Sequence, residues 1–68
     1  MSELVFLVEA DPEGGFTARA LGESIFTHAD EWKELEGRVR EATLCHFDEG
    51  EAPRIVRLHF VRDEVFAV

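Results

Sequence analysis

Four side chains could act near neutral pH as nucleophiles, bases or soft metal ligands: His28, Cys45, His46 and His59. Histidine exchanges protons or binds metals in this pH range, and a cysteine thiolate is both a nucleophile and a ligand. Their spacing matches neither a CxxC nor an HExxH pattern. Cys45 and His46 are adjacent on a predicted helix, where neighbours point about 100° apart and do not share a site. The residues therefore predict no catalytic site, no metal and no cofactor.

The carboxylates offer a second possible chemistry, the binding of a hard cation. The acidic run 48–51 lacks the alternating ligand register of a calcium loop, which favours a solvated loop. Asp11, Glu23 and Asp30 could be ligands of a divalent metal, but each lies at a predicted turn or helix start that already explains it. Gly14-Gly15 precedes a strand rather than a helix, so it predicts a hairpin turn and not a phosphate site.

The length and composition restrict the architecture. The 68 residues suffice for one hydrophobic core, so a single domain over 1–68 is predicted. Hydrophobic residues make up 46 % and charged residues 32 %, which is typical of a folded globular protein. A core this small is commonly supplemented by disulfides, a metal or self-association. One cysteine excludes an internal disulfide, and we expect a homo-oligomer, a dimer or a larger even-numbered assembly.

Charge restricts the partners. Fifteen acidic against seven basic side chains give a net charge of −8, the wrong sign for gripping phosphates, so direct nucleic-acid binding is not expected. This field would attract a basic protein partner, although it is also an ordinary way to stay soluble. The longest apolar run, 4–8, is far shorter than the roughly 18 residues of a membrane span. We therefore expect a cytoplasmic protein without membrane contact. The excess of arginine over lysine fits a heat-adapted or strongly codon-biased source.

Three strands are predicted before the helix. Residues 4–8 are apolar on both alternating faces, which predicts a central strand covered on each side. The Asp-Pro-Glu-Gly-Gly sequence at 11–15 predicts a hairpin turn. Residues 16–20 then alternate as a half-buried strand whose small inner side chains allow a helix to pack close, and 24–28 form a short third strand.

A helix is predicted from about 31 to 48, with Asp30 as its N-cap and Gly50 just past its end. At 100° per residue, five side chains fall on one inward stripe. These are Trp32, Leu35, Val39, Ala42 and His46. We expect His46 to be buried there with its ring bonded to a backbone carbonyl, and Trp32 to be a core residue rather than a partner anchor.

The opposite side of the helix carries the predicted partner-binding residues Glu34, Gly37, Glu41 and Leu44. A helical glycine costs about 1 kcal/mol relative to alanine, and an exposed leucine wastes apolar area. A second contact on this side would explain both: the carboxylates would steer a basic partner, Leu44 would contact it and Gly37 would allow close approach. A single exposed leucine is also common without any function.

The remaining residues predict a return to the sheet. Strict alternation over 54–62 predicts a fourth strand whose inner face holds Val56, Leu58 and Phe60. Residues 65–68 read either as a short fifth strand or as the fourth strand continuing past a bulge. The order β-β-β-α-β(-β) predicts an α+β fold, an antiparallel sheet with one helix packed on one face.

Several motifs occur together between Phe6 and Asp48. They are the turn at 11–15, Phe16-Thr17-Ala18, Leu21-Gly22, the helix entry Asp30-Glu31-x-x-Glu34-Leu35, and Val39-x-Glu41-Ala42. The most distinctive is the glycine pair followed by an aromatic residue and then by alanine two residues later. Together they resemble the small N-terminal module of the HicB antitoxin family.

The resemblance implies a reduced ribonuclease-H-like β-β-β-α-β fold and a binding role rather than catalysis. The resemblance also implies that the protein neutralises a small basic toxin of the HicA type. Such a toxin has the shape of a double-stranded-RNA-binding domain and cleaves messenger RNA. The sequence departs from the family at two places, with Leu21-Gly22 where a proline-glycine is usual and His28-Ala29-Asp30 where a glycine-acid-threonine entry is usual.

A further departure concerns promoter binding. Many family members add a C-terminal DNA-binding helix-turn-helix or ribbon-helix-helix, whereas residues 54–68 read as strand, so we expect a minimal antitoxin without that function. One alternative is a stand-alone structural or regulatory oligomer without a toxin partner. The least favoured alternative is a metal-dependent nuclease remnant.

Overall fold

The computed structural model describes residues 2–68. Within them, one helix and four strands follow one another in the order β-β-β-α-β. The strands are β1 (Glu3–Ala10), β2 (Phe16–Ala20), β3 (Phe26–Ala29) and β4 (Ile55–Val61), and the helix is α1 (Trp32–His46). The predicted α+β class, the order of the elements and the packing of one helix on the sheet are confirmed.

The sheet is mixed, with the strand order β3-β2-β1-β4. β2 pairs antiparallel with both β1 and β3, whereas β4 pairs parallel with β1. The prediction of a wholly antiparallel sheet is therefore wrong for β4. Two reversals of the chain make β3 run in the direction of β1, and a helix that crosses back over the sheet returns β4 in that same direction.

The β1–β2 hairpin closes at the predicted turn. The backbone N–H of Asp11 donates to the Gly15 carbonyl at 2.9 Å, and that of Glu13 donates to Oδ1 of Asp11 at 2.9 Å. Gly14 and Gly15 have φ angles of 109° and 82°, which side chains disfavour. A Cβ at Gly15 would also lie 2.6 Å from the carbonyl oxygen of Ala29, so this glycine lets the hairpin approach β3.

The hydrophobic core lies between α1 and one face of the sheet. Its buried members are Leu4, Phe6, Val8, Ala18, Ala20, Ile25, Ala29, Leu35 and Val39. α1 lies mainly against β3 and β2, where the small side chains of β2 admit it as predicted. β1 is central, but the prediction that both its faces are covered is wrong, because Val5 and Leu7 alternate away from α1 and are half-buried.

The helix begins later and ends earlier than predicted. Its N-cap is Glu31 rather than Asp30, and no side-chain cap bond forms within the described residues. Ala29 is still paired with Phe16 in the sheet, so Asp30 is used in the bend that leads to the helix. At the other end, α1 stops at His46 and Phe47 is already extended.

The buried line of α1 differs from the predicted stripe. Leu35, Val39 and Thr43 are buried, and the Thr43 hydroxyl donates to the Val39 carbonyl at 2.8 Å. Trp32 is 46 % exposed and His46 is also exposed, so the prediction that both lie in the core is wrong. Steps of four residues rotate the buried line by about 40° each, which carries it toward Thr43 and away from His46.

β4 ends at Val61, and residues 62–68 belong to no strand in the described part of the chain. Both readings of 65–68, as a fifth strand and as a continuation of the fourth, are therefore wrong. The register explains the end of the strand, because Val61 pairs with Glu9 near the end of β1 and later residues run past their partner.

An ion pair crosses the parallel β1–β4 ladder on the face opposite α1. Nε of Arg57 donates to Oε2 of Glu3 at 2.8 Å, and Nη2 donates to Oε1 at 3.4 Å. These hydrogen bonds first, and the positive charge second, hold the pKa of the Glu3 carboxyl below its usual value and raise that of Arg57. The pair is solvent-exposed, so its contribution to stability is small.

We predict that Arg57→Gln raises the pKa of Glu3 toward its usual value, measured by carbon-detected NMR titration. The pKa of Glu3 is lower in the folded protein than in the unfolded chain. The ion pair therefore stabilises the fold at pH values above the pKa of a free glutamate, and this stabilisation is lost as the pH falls through the folded-state pKa. Arg62→Gln is the control and should leave Glu3 unchanged. An unchanged Glu3 titration in Arg57→Gln would contradict the Glu3–Arg57 ion pair.

Candidate protein-binding surface

The inner face of β4 is left open by α1. Its residues Val56, Leu58 and Phe60 are register partners of Leu4, Phe6 and Val8. The β1 residues are at most 3 % exposed, whereas Val56 and Phe60 are 36 % and 38 % exposed. A helix about 10 Å wide covers roughly two strands spaced about 4.8 Å apart. With α1 over β3 and β2, the far edge strand keeps an apolar face in contact with solvent.

A groove of about 480 Å³ lies between α1 and β4. Its apolar lining includes Val39 and Leu44 of the helix and Val56 and Leu58 of the strand. The connection from α1 to β4 closes one side through residues 52–54. Charged groups also line the groove, among them Arg54 and the Arg40–Glu36 ion pair, whose Nη2–Oε1 distance is 2.9 Å. This α1–β4 groove can accept an apolar chain segment flanked by carboxylates.

Three rings form an aromatic cluster at the other end of β4: Phe16, Trp32 and Phe60. The Phe16–Trp32 and Trp32–Phe60 ring centroids are each 5.3 Å apart, and the Phe16–Phe60 centroids are 6.0 Å apart, all edge to face. With Ala10, Arg62 and Asp63 they line a second hollow of about 520 Å³. Trp32 thus packs at the end of the sheet instead of beneath the helix, which explains its exposure.

The four predicted partner-binding residues share one exposed side of α1, the outer helix face. From the helical periodicity, Gly37 lies within about 20° of Leu44, and Glu41 and Glu34 lie about 60° and 80° away. Leu44 is 62 % exposed and also lines the α1–β4 groove, so it joins the two surfaces. A methyl group added at Gly37 would meet none of the described atoms within 4 Å.

The groups that could do chemistry are dispersed. Cys45 is exposed on α1, and His28 and His59 are exposed on β3 and β4. Within residues 2–68, no group of three histidine, cysteine or acidic side chains is placed to hold a metal ion. Asp11, named as a possible nuclease ligand, instead accepts a backbone hydrogen bond in the hairpin turn.

His46 has a different partner from the predicted one. Its Nε2 lies 3.0 Å from Oε1 of Glu23, and its ring packs edge-on against Phe47 with centroids 5.0 Å apart. The expected backbone carbonyl is replaced by a carboxylate of the β2–β3 loop. His46 therefore links the end of α1 to that loop at a partly solvated position.

The open face of β4 was missed at the level of the sequence, although a signal for it was present. The alternation of Val56, Leu58 and Phe60 predicts an inner face, but alternation does not indicate whether the helix extends far enough to cover that face. A single helix beside four strands leaves part of one sheet face uncovered. The exposure of Gly37 and Leu44, by contrast, agrees with the helical period of the sequence.

The fold and this surface define a small α+β protein with one helix over a four-stranded mixed sheet in residues 2–68 and an open apolar edge strand. The chain belongs to the UPF0150 family. It is 42 % identical over 66 residues to a UPF0150 protein of Thermotoga maritima, covering 97 % of this chain and 93 % of the relative.

A UPF0150 protein of Archaeoglobus fulgidus is 52 % identical over 52 residues, covering 76 % of this chain and 77 % of the relative. The name of these relatives states no activity, ligand or partner. No family model matches the chain, and no solved structure matches it. Within the described residues, no helix is long and apolar enough to cross a membrane.

We predict that His46→Ala lowers the free energy of unfolding by less than about 1 kcal/mol, because the partly solvated Glu23 contact is worth little beyond that. Leu35→Ala, which empties a fully buried site, should cost about 2 to 5 kcal/mol. Urea unfolding of both variants measures the difference. Equal losses would mean that His46 belongs to the core.

Proposed function

We propose that this protein is a cytoplasmic protein-binding module of the HicB antitoxin type, which neutralises a small basic ribonuclease of the HicA type by covering its RNA-binding surface. The observation that carries the proposal is the outer helix face, where the exposed carboxylates Glu34 and Glu41 lie to one side of Leu44, which is 62 % exposed. The resemblance to the HicB module supplies the kind of partner.

Electrostatics supports a basic partner. The net charge of −8 creates a field that speeds the encounter with a positively charged protein. Glu34 and Glu41 are exposed on the outer helix face, where they can meet the cationic groups that such a ribonuclease uses to hold RNA. Occupying those groups blocks RNA binding without any catalysis by this chain.

Shape supports a contact at the same place. Leu44 offers apolar area at one edge of the outer helix face, and the open space at Gly37 lets a partner backbone come close. Leu44 also borders the α1–β4 groove, so a partner seated on the helix can extend toward Val56. Apolar area bordered by charged residues is the usual anatomy of a protein interface.

A stand-alone oligomer without a toxin is the alternative, and the exposed Val65 and Phe66 favour it. The two functions differ in what the gene's neighbourhood encodes. A short adjacent reading frame for a basic protein with a single histidine favours the antitoxin, and its lack favours the stand-alone oligomer.

The test is co-expression with the product of such an adjacent frame. The basic protein alone should arrest growth and degrade messenger RNA, and co-expression of this chain should restore both. The purified pair should elute as one complex. Growth arrest that persists at full expression of this chain, or the lack of any complex, would refute the antitoxin role.

Within such a complex, we predict that Glu34→Lys with Glu41→Lys slows association and flattens its salt dependence, because steering acts on the encounter rate. Leu44→Asp should instead speed dissociation by about tenfold or more, since it removes apolar contact. Glu13→Lys with Glu49→Lys, which makes the same charge change at exposed turns, is the control for net charge. Surface plasmon resonance separates the two rates. Equal effects of the two double variants would place the contact elsewhere.

A further inference from the structure

The segment after β4 presents apolar side chains that the fold does not use. Val65 and Phe66 are 94 % and 78 % exposed, and Val68 is fully exposed. Neighbouring apolar residues at this level of exposure mark an interaction site more often than an ordinary surface. Asp63 and Glu64 directly precede them, so the segment is apolar with an acidic start.

β4 is also an edge strand of seven residues. In the described chain it pairs on the β1 side, which leaves the N–H and C=O groups of its outer side available to another strand. The opposite edge is β3, which has four residues and offers much less ladder. The α1–β4 groove lies at the start of this edge strand, and the apolar segment follows its end, so an antiparallel copy would bring its segment to the groove.

We propose that two copies of this chain pair antiparallel through β4 about a two-fold axis at His59, and that residues 65–68 of each copy fill the α1–β4 groove of the other. This inference concerns a second copy of the chain and does not depend on a toxin. An interface of this kind is self-complementary, since each copy contributes the same strand, segment and groove.

The charges in and after β4 favour this register over one centred on Leu58. When the antiparallel pairing continues past both ends of β4, with His59 opposite His59, Glu64 of one copy lies opposite Arg54 of the other, which is a cross-strand ion pair. Arg57 then lies opposite Val61, so no two arginines face each other directly. Moving the axis to Leu58 would place Arg54 opposite Arg62, and like charges in that position are unfavourable.

The same register brings the apolar segment to the groove. When residues 62–68 extend β4 along the second copy, alternation puts Phe66 and Val68 on the face that carries Val56 and Leu58, the face that borders the groove. Phe66 then lies beside Ala52 of the second copy, which is one of the groove residues. Arg54, also a groove residue, receives the acidic start of the segment.

Sedimentation equilibrium at low micromolar concentration tests the inference, with an expected mass of twice 7.7 kDa. Phe66→Asp should raise the dimer dissociation constant by at least about tenfold, because it places a charge in an apolar groove. Phe26→Asp is the matched control, since Phe26 is an exposed phenylalanine on the β3 edge, and it should leave the constant unchanged. Circular dichroism verifies that both variants are folded.

A charge exchange tests the register itself. Arg54→Glu should weaken the dimer, and adding Glu64→Arg to the same chain should restore it, as a double-mutant cycle requires for groups in contact. Amide hydrogen exchange should show protection of β4 that rises with protein concentration while that of β3 stays constant. A monomer at every concentration, equal effects of Phe66→Asp and Phe26→Asp, or no rescue by the exchange would overturn the proposal.

Discussion

A single helix has to cover a sheet that is wider than itself. This mismatch determines where the core lies and which apolar side chains stay exposed. α1 lies over β3 and β2, and its buried residues share one core with the inner face of β1. The next strand lies beyond the reach of the helix. The chain therefore divides into a covered half, which holds the core, and an uncovered half, in which apolar side chains meet water. Both candidate interaction surfaces border the uncovered half.

The covered half depends on small side chains and close approach. Ala18 and Ala20 allow α1 to lie near the sheet, and Gly15 allows the hairpin to lie against β3. The uncovered half depends instead on β1, because β4 is attached to the rest of the fold mainly through its parallel ladder with that strand. The buried core of the covered half and the exposed apolar side chains of the uncovered half both follow from having one helix for four strands.

Local sequence signals predicted the elements well. Alternation located β2 and β4, and the glycines at 11–15 located the hairpin, because each signal depends on residues that are neighbours in the chain. The prediction of Asp30 as the N-cap was wrong because Ala29 still pairs in the sheet, so the helix can begin only after a bend at Asp30. His46 was misplaced because its position depends on how α1 is rotated against the sheet, which the helical period alone does not determine.

The parallel direction of β4 could have been deduced by counting reversals of the chain. Glu23 as the partner of His46 could not, since a loop 23 residues away supplies it.

The ladder between β1 and β4 also has a consequence for synthesis of the protein. β1 is made first, and its partner on one side follows within a few residues as β2, but its partner on the other side is made after residue 54. A nascent chain leaving the ribosome therefore carries a strongly apolar strand with one unpaired edge until residues 55–61 have been translated. Closing a loop of that length is slow compared with forming a hairpin, and an open edge invites pairing with other chains. The order of the strands thus makes the interval before β4 emerges the period in which this protein is most exposed to aggregation.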